Sequence, residues 1–144
     1  ITKNSLILRD LDILKDMAKE NLVKVAVSVT TLDEPLRQFL EPRTATAKQR
    51  LKTIKILSEN GIPTFAMCSP IIPGLNDHEI FDLVKATAEA GAGNCGFTMV
   101  RLNGQVAVIF EDWIRKTYPG RAEKVLNKIK SVKSQSKSVA KKIT

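Results

Sequence analysis

Side chains able to do chemistry gather in four short stretches of this 144-residue chain: Thr2-Lys3-Asn4-Ser5, Ser28 with Thr30 to Asp33, Ser69 to Asp77, and Met99-Val100-Arg101 with Asn103. The last three end or follow apolar runs, and in parallel α/β proteins ligands bind at the carboxyl ends of strands. Ser28 sits inside an apolar run, where its hydroxyl either bonds nearby backbone or reaches a ligand. Pro70, Pro73 and Gly74 fix the backbone around Ile71 and Ile72, so these two could support an apolar ligand face. Asn76 and Asp77 read first as helix caps. Lys3 is equally a surface charge, and Arg43, between Pro42 and Thr44, either holds a carboxylate bidentately or makes a loop salt bridge.

Several chemistries are excluded by what the stretches lack. There is no Gly-x-Gly-x-x-Gly, Walker loop, serine elbow or metal-spaced histidine pair. Cys68 and Cys95 have 26 residues between them and no CxxC spacing, so they read as core thiols. With His78 they make at most three scattered ligands, too few for a structural zinc or iron–sulfur site, and the expectation is that these residues bind no cluster by themselves. A disulfide is disfavoured in a reducing cytosol.

Elements of alternating type must position these stretches. Leu11, Leu14, Met17 and Ala18 recur at helical spacing from Asp10 to Glu20. The apolar, β-branched segment after Leu22 predicts a strand near 22–30, buried on both faces. A short helix is expected from Asp33 to Leu40, with Pro35 in its first turn. Thr46 with Gln49 forms a capping-box pattern for a helix stopped at Asn60-Gly61. Further strands are expected near 64–70 and 94–102. Between them lies a helix capped by Asn76 with Glu79, carrying Ile80, Leu83, Val84 and Ala88 inward and ending at Gly91. Beyond Gly104 the pattern is helical, first with Val108, Phe110, Trp113 and Ile114. After Pro119-Gly120 it continues with Ala122, Val125, Leu126 and Ile129. Alternating helices and strands with short connections mean a parallel sheet joined by right-handed crossovers.

The net charge of +8 is unevenly spread. Residues 1–120 hold 15 Lys/Arg against 14 Asp/Glu, whereas residues 121–144 hold 8 against 1. A basic end of this kind draws polyanions by counterion release, or is a solvated helix face with a frayed terminus. No run approaches the ~18 apolar residues of a membrane span, and no secretion signal opens the chain, so no membrane contact and a cytoplasmic location are expected. The opening residues begin in mid-pattern, which reads as a piece of a larger βα enzyme.

Taken in order, Thr2-Lys3-Asn4, Val27-Ser28-Val29-Thr30-Thr31-Leu32-Asp33-Glu34, Leu40-Glu41-Pro42-Arg43-Thr44 and Pro70-Ile71-Ile72-Pro73-Gly74-Leu75-Asn76-Asp77 resemble the radical SAM superfamily. Within it the spacing is similar to the branch of spore photoproduct lyase and the DNA repair photolyases, over roughly residues 1–130. The resemblance implies the C-terminal half of a partial (β/α)6, TIM-like barrel over 1–104 with a helical extension over 105–132, and the Ser/Lys composition makes 133–144 a basic disordered tail. It implies an enzyme in which a [4Fe–4S] cluster reduces S-adenosylmethionine to a 5′-deoxyadenosyl radical. The cluster's CxxxCxxC loop has no counterpart in this sequence and is expected upstream of Ile1, leaving the piece itself inactive.

By position in that pattern, Lys3 would reach toward the cofactor, Ser28 would bond its ribose or amino-acid part, and Ile71 and Ile72 would pack on adenine. Gly74 would permit close approach, Asn76 would offer a polar partner, and Val100 with its neighbours would offer backbone groups to the adenine edge. Substrate contacts do not carry over. The alternative reading is a basic nucleic-acid-binding α/β module without radical chemistry. A half barrel also leaves strand edges open, so self-association or a covering helix is expected.

Overall fold

Parallel pairing of three short strands builds the centre of the first part of the chain in a computed structural model, which describes residues 1–143, with side chains through Lys133. The strands are β1 (Val25–Ser28), β2 (Thr64–Met67) and β3 (Asn94–Gly96), hydrogen-bonded in the order β1-β2-β3. Val25 lies opposite Thr64 and Phe65 opposite Asn94. On the other side of β1, Thr2 forms a parallel bridge to Val27, donating to the Ala26 carbonyl at 2.9 Å while its own carbonyl accepts from the Ser28 amide at 2.9 Å. The opening residues thus extend the sheet beyond β1.

All three strands are shorter than their sequence patterns suggest. Leu22 is 70% exposed because its amide bonds the Met17 carbonyl and closes a helix, so β1 starts only at Val25. Beyond Ser28, Thr30 and Thr31 turn their hydroxyls to glutamates. β2 stops before Pro70, which has no N–H for a ladder. β3 ends at Gly96, where the Ser69 hydroxyl takes the Thr98 amide at 2.8 Å in place of a strand partner. Farther on, only an isolated bridge joins Ile71 to Met99.

Six helices accompany the sheet among the described residues: α1 (Leu11–Lys19), α2 (Glu34–Leu40), α3 (Ala47–Glu59), α4 (Ile80–Glu89), α5 (Gln105–Thr117) and α6 (Ala122–Ile143). A 3-10 segment, Ser5–Asp10, leads into α1 and is capped by Asn4, whose Oδ1 accepts from the Leu6 amide at 3.1 Å. Asp33 caps α2 through the Leu36 amide at 3.0 Å, and α3 carries the full Thr46/Gln49 capping box. The stops at Gly61 (φ +72°) and Gly91 (φ +95°) are left-handed, as the sequence indicates. No Asn76/Glu79 capping box forms at α4. Glu79 occupies the cap position without a side-chain cap bond, because its carboxylate is engaged by the loop after β1.

Two compact units result. The first comprises Ile1–Pro70 with Glu79–Thr98, and the second Ile71–His78 with the residues from Met99 onward. Val25, Val27 and Val29 are buried in the first, as are Ile54 and Leu57 of α3 and Leu83 of α4. Each fully buried Ile or Leu stabilises by roughly 1.5–3 kcal/mol. Thr87 shares α4's buried line with Leu83, whereas Val84, expected inward, is 41% exposed. In the second unit Ile71, Ile72, Leu75, Ile114, Ala122, Val125, Leu126 and Ile129 are buried. Of the inward face expected for α5 only Ile114 is buried; Val108 is 68% exposed, and Phe110 leans on Trp113 with ring centroids 5.5 Å apart. The tail expected to be disordered over 133–144 lies, from residue 134 onward in its side chains, outside the described residues. No described helix is long and apolar enough to cross a membrane.

Candidate functional site

In the first unit, charge is organised around the carboxyl end of β1. Arg50 lies on the same α3 stripe as Ala47, Ile54 and Leu57, which carries its guanidinium inward with 2% of its side chain exposed. There Nε donates to the Ala45 carbonyl at 2.8 Å, Nη1 to the Ser28 carbonyl at 3.0 Å, and Nη2 to Glu41 Oε2 at 2.6 Å and to the Thr44 hydroxyl. Glu41, only 9% exposed, also accepts from Lys3 Nζ and from the Thr30 hydroxyl at 3.0 Å. Of the sequence candidates, Lys3 and Ser28 are therefore brought to one network. Arg43, read either as a carboxylate holder or as a loop salt bridge, is exposed, and the buried carboxylate of Glu41 is held by Arg50.

Burial pushes the Glu41 carboxyl up, but the hydrogen bonds from Lys3 and Arg50 outweigh it and hold it below the usual carboxylate range. A carboxyl depressed by folding contributes stability that is present above its unfolded value, about 4.3, and lost as pH falls through the folded value. Thermal melts should therefore show Tm dropping on acidification below about pH 4.3, with Glu41→Gln flattening that limb.

Ser28 has a spare group. Its amide is bonded by the Thr2 carbonyl and its carbonyl by Arg50, yet its hydroxyl, on a residue 4% exposed, bonds no group among the described residues. Nearby Glu79, 8% exposed, gathers the loop after β1, accepting from the Thr31 hydroxyl at 2.5 Å, the Leu32 amide at 3.2 Å and the Asp33 amide at 3.1 Å.

The second unit holds the Ile71–Asn76 turn. Ile71 and Ile72 are 0% and 2% exposed, so their side chains fill the protein interior and offer no open ledge. Asn76, 0% exposed, accepts from the Ile72 amide at 2.6 Å through Oδ1 and fastens the turn. Gly74, at φ +88°, receives the Asp77 carboxylate on its amide at 2.8 Å. The Val100 amide donates to the Ile71 carbonyl at 2.8 Å. These five candidates are thus brought into one unit, and Lys3 and Ser28 into the other.

Cys68 and Cys95, distant in sequence, approach to 3.3 Å between sulfurs, because Cys68 follows β2 while Cys95 lies in adjacent β3. Burial, then the hydrogen bond to Cys95, pushes the Cys68 thiol up to about 12, so it stays protonated and inert.

Residues 1–87 match the family model of the radical SAM superfamily. The chain belongs to that superfamily. Lys3, Ser28, Ile71, Ile72, Gly74 and Asn76 fall inside the matched span and Val100 outside it. The chain is also similar to an uncharacterized protein of Methanocaldococcus jannaschii, 30% identical over 128 residues, which are 89% of this chain and 46% of that protein. An uncharacterized protein of Mycobacterium tuberculosis is 30% identical over 121 residues, 83% of this chain and 36% of its own length. Another, from Acidianus two-tailed virus, is 31% identical over 72 residues, 50% of this chain and 23% of its own. The chain thus spans less than half the length of these relatives.

Radical SAM proteins typically use S-adenosylmethionine with a [4Fe–4S] cluster. Among the described residues no group of three or more His, Cys, Asp or Glu stands together as a metal-ligand set, and the Cys68–Cys95 pair is one thiol short of the three such a cluster takes. The described residues therefore do not fit the cluster. For the sulfonium cofactor the fit is partial: the unpaired Ser28 hydroxyl suits a polar ligand atom, whereas the buried Ile71 and Ile72 side chains could only shape the backbone beneath one.

Sequence reasoning missed Arg50, Glu41 and Glu79 as organisers. Arg50 had a signal, a cation in register with an apolar helical stripe. Glu41 lies two residues before Arg43 in the Leu40–Thr44 motif, and the spacing of Glu79 from Asn76 matches a capping box.

Proposed function

We propose that this chain is the C-terminal part of a radical SAM enzyme's barrel, of the spore photoproduct lyase-like, DNA repair photolyase branch. It contributes to holding S-adenosylmethionine, while the CxxxCxxC cluster loop belongs to a longer parent chain. The observation that carries the reading is the superfamily match over residues 1–87. The order Thr2, β1, β2, β3 also favours a barrel, since strands consecutive in sequence are neighbours throughout, whereas doubly wound sheets reverse at a switch point. In this reading the Ser28 hydroxyl meets the ribose or amino-acid part of the cofactor, and Lys3 lends positive charge while bonded to Glu41. For the second unit taken by itself, Ile71, Ile72 and Asn76 set the turn that contains Gly74, and Val100 with its neighbours offers backbone groups to adenine. A cluster held by the parent's cysteine loop would supply the electron for cleaving S-adenosylmethionine, and none of the described residues would hold it.

Anaerobic reconstitution with iron and sulfide tests the proposal. The 144-residue chain should show no stoichiometric cluster spectrum. The parent should show one and release 5′-deoxyadenosine under reduction. In the parent, Ser28→Ala should raise the KM for S-adenosylmethionine by about 3- to 10-fold, the worth of one neutral hydrogen bond, with the cluster spectrum unchanged. A fully loaded parent that cleaves no S-adenosylmethionine would sink the reading.

A further inference from the structure

Gly74, at the tip of the second unit's turn, comes so close to α6 that a Cβ built on it would lie 3.2 Å from Val125 Cγ2 and 3.4 Å from Lys128 Cδ. Beside this contact opens a cavity of about 390 Å³ lined by Asp77 and His78 from the turn and by Arg121, Lys124 and Lys128. Lys124 and Lys128, four residues apart, share one face of α6, and Arg121 sits in the turn just before that helix begins. Their charge is only partly answered. Asp77, kept ionised because bonds from the Gly74 amide and Lys128 outweigh its desolvation, reaches Lys128 Nζ at 3.4 Å. Arg121 and Lys124 have no side-chain partner among the described residues. By contrast, the neighbouring cations Arg115 and Lys116 are answered by Glu111 with Glu123 and by Asp112. Three cations against one carboxylate leave a formal net +2 at the cavity, His78 aside.

We propose that this cavity binds a phosphate group. Phosphate suits it because several donors converge on an anion of one or two charges with at least two acceptor oxygens, which a guanidinium meets in bidentate fashion and an ammonium as a point charge. The wider sequence is consistent, with 8 basic residues against 1 acidic over 121–144. The site neither contains Ser28 nor depends on the radical reading, and its test involves neither S-adenosylmethionine nor iron.

The phosphate can come from a small molecule or from a nucleic-acid backbone, and calorimetry on the 144-residue chain separates the two. Inorganic phosphate and a single-stranded oligonucleotide are titrated into the parent sequence, into Arg121→Gln/Lys124→Gln, and into Lys116→Gln as a control. Inorganic phosphate should bind, and the double variant should weaken it about tenfold or more, two charge-assisted contacts being lost; the control should not change. If the backbone is the source, the oligonucleotide binds more tightly, and the double variant lowers the salt slope by about 1.4, or 0.7 per lost contact. If a small phosphate compound is the source, the oligonucleotide gains nothing over inorganic phosphate. The proposal is overturned if neither ligand binds, or if the double variant binds both as well as the parent sequence does. These side chains are exposed, so unchanged melting of the variants will separate lost binding from lost fold.

Discussion

Arg50→Ala will lower unfolding stability by about 3–5 kcal/mol, the cost of removing one partner of a buried ion pair. The guanidinium has no slack, with four acceptors on it and 2% of its side chain exposed. Removing it strands the Ser28 and Ala45 carbonyls and leaves Glu41 with a half-exposed lysine as its sole cation. Urea midpoints with an unchanged m-value will measure the loss. Arg50→Met combined with Glu41→Leu should recover a large part of it, because replacing both members of a buried pair by apolar groups of similar volume is often close to neutral. A double variant as unstable as Arg50→Ala would show that the backbone carbonyls, not the glutamate, are what the guanidinium serves.

Glu79→Ala should cost about 3 kcal/mol, as three donors lose one carboxylate and each bond to a charged group is worth roughly 1.5–3 kcal/mol before exposure discounts it. The affected loop leads directly into α2, whose cap is Asp33, so the damage spreads to that helix. Glu79→Gln keeps one acceptor oxygen and should lose less than half as much. Equal losses for the two variants would mean that shape, not hydrogen bonding, fixes the loop.

Helices were legible because their stops and caps are local chemistry. Thr46 and Gln49 are three residues apart, and Gly61 and Gly91 mark left-handed turns wherever the sheet lies. Strand ends were not legible. The ends of β1 and β3 are decided by Glu41, Glu79 and Ser69, which reach them from 11 to 48 residues away in sequence. For the same reason the apolar character of Ile71 and Ile72 suggested a surface for a ligand. Hydropathy reports that such a side chain leaves water and is silent on whether protein or cofactor covers it. The superfamily was readable from motif order, whereas the pairing of Arg50 with Glu41 needed the folded chain.

Glu79 also sets an order of events in folding. The Thr31 hydroxyl and the Leu32 amide find their acceptor 48 and 47 residues downstream, so this loop cannot be secured until the intervening α2, α3 and β2 have been made and α4 has docked. Closing so long a span costs chain entropy before any bond rewards it. In pulsed hydrogen exchange the Leu32 and Asp33 amides should therefore gain protection after those of α3. The residues just past β1 are then the last part of the strand end to take shape.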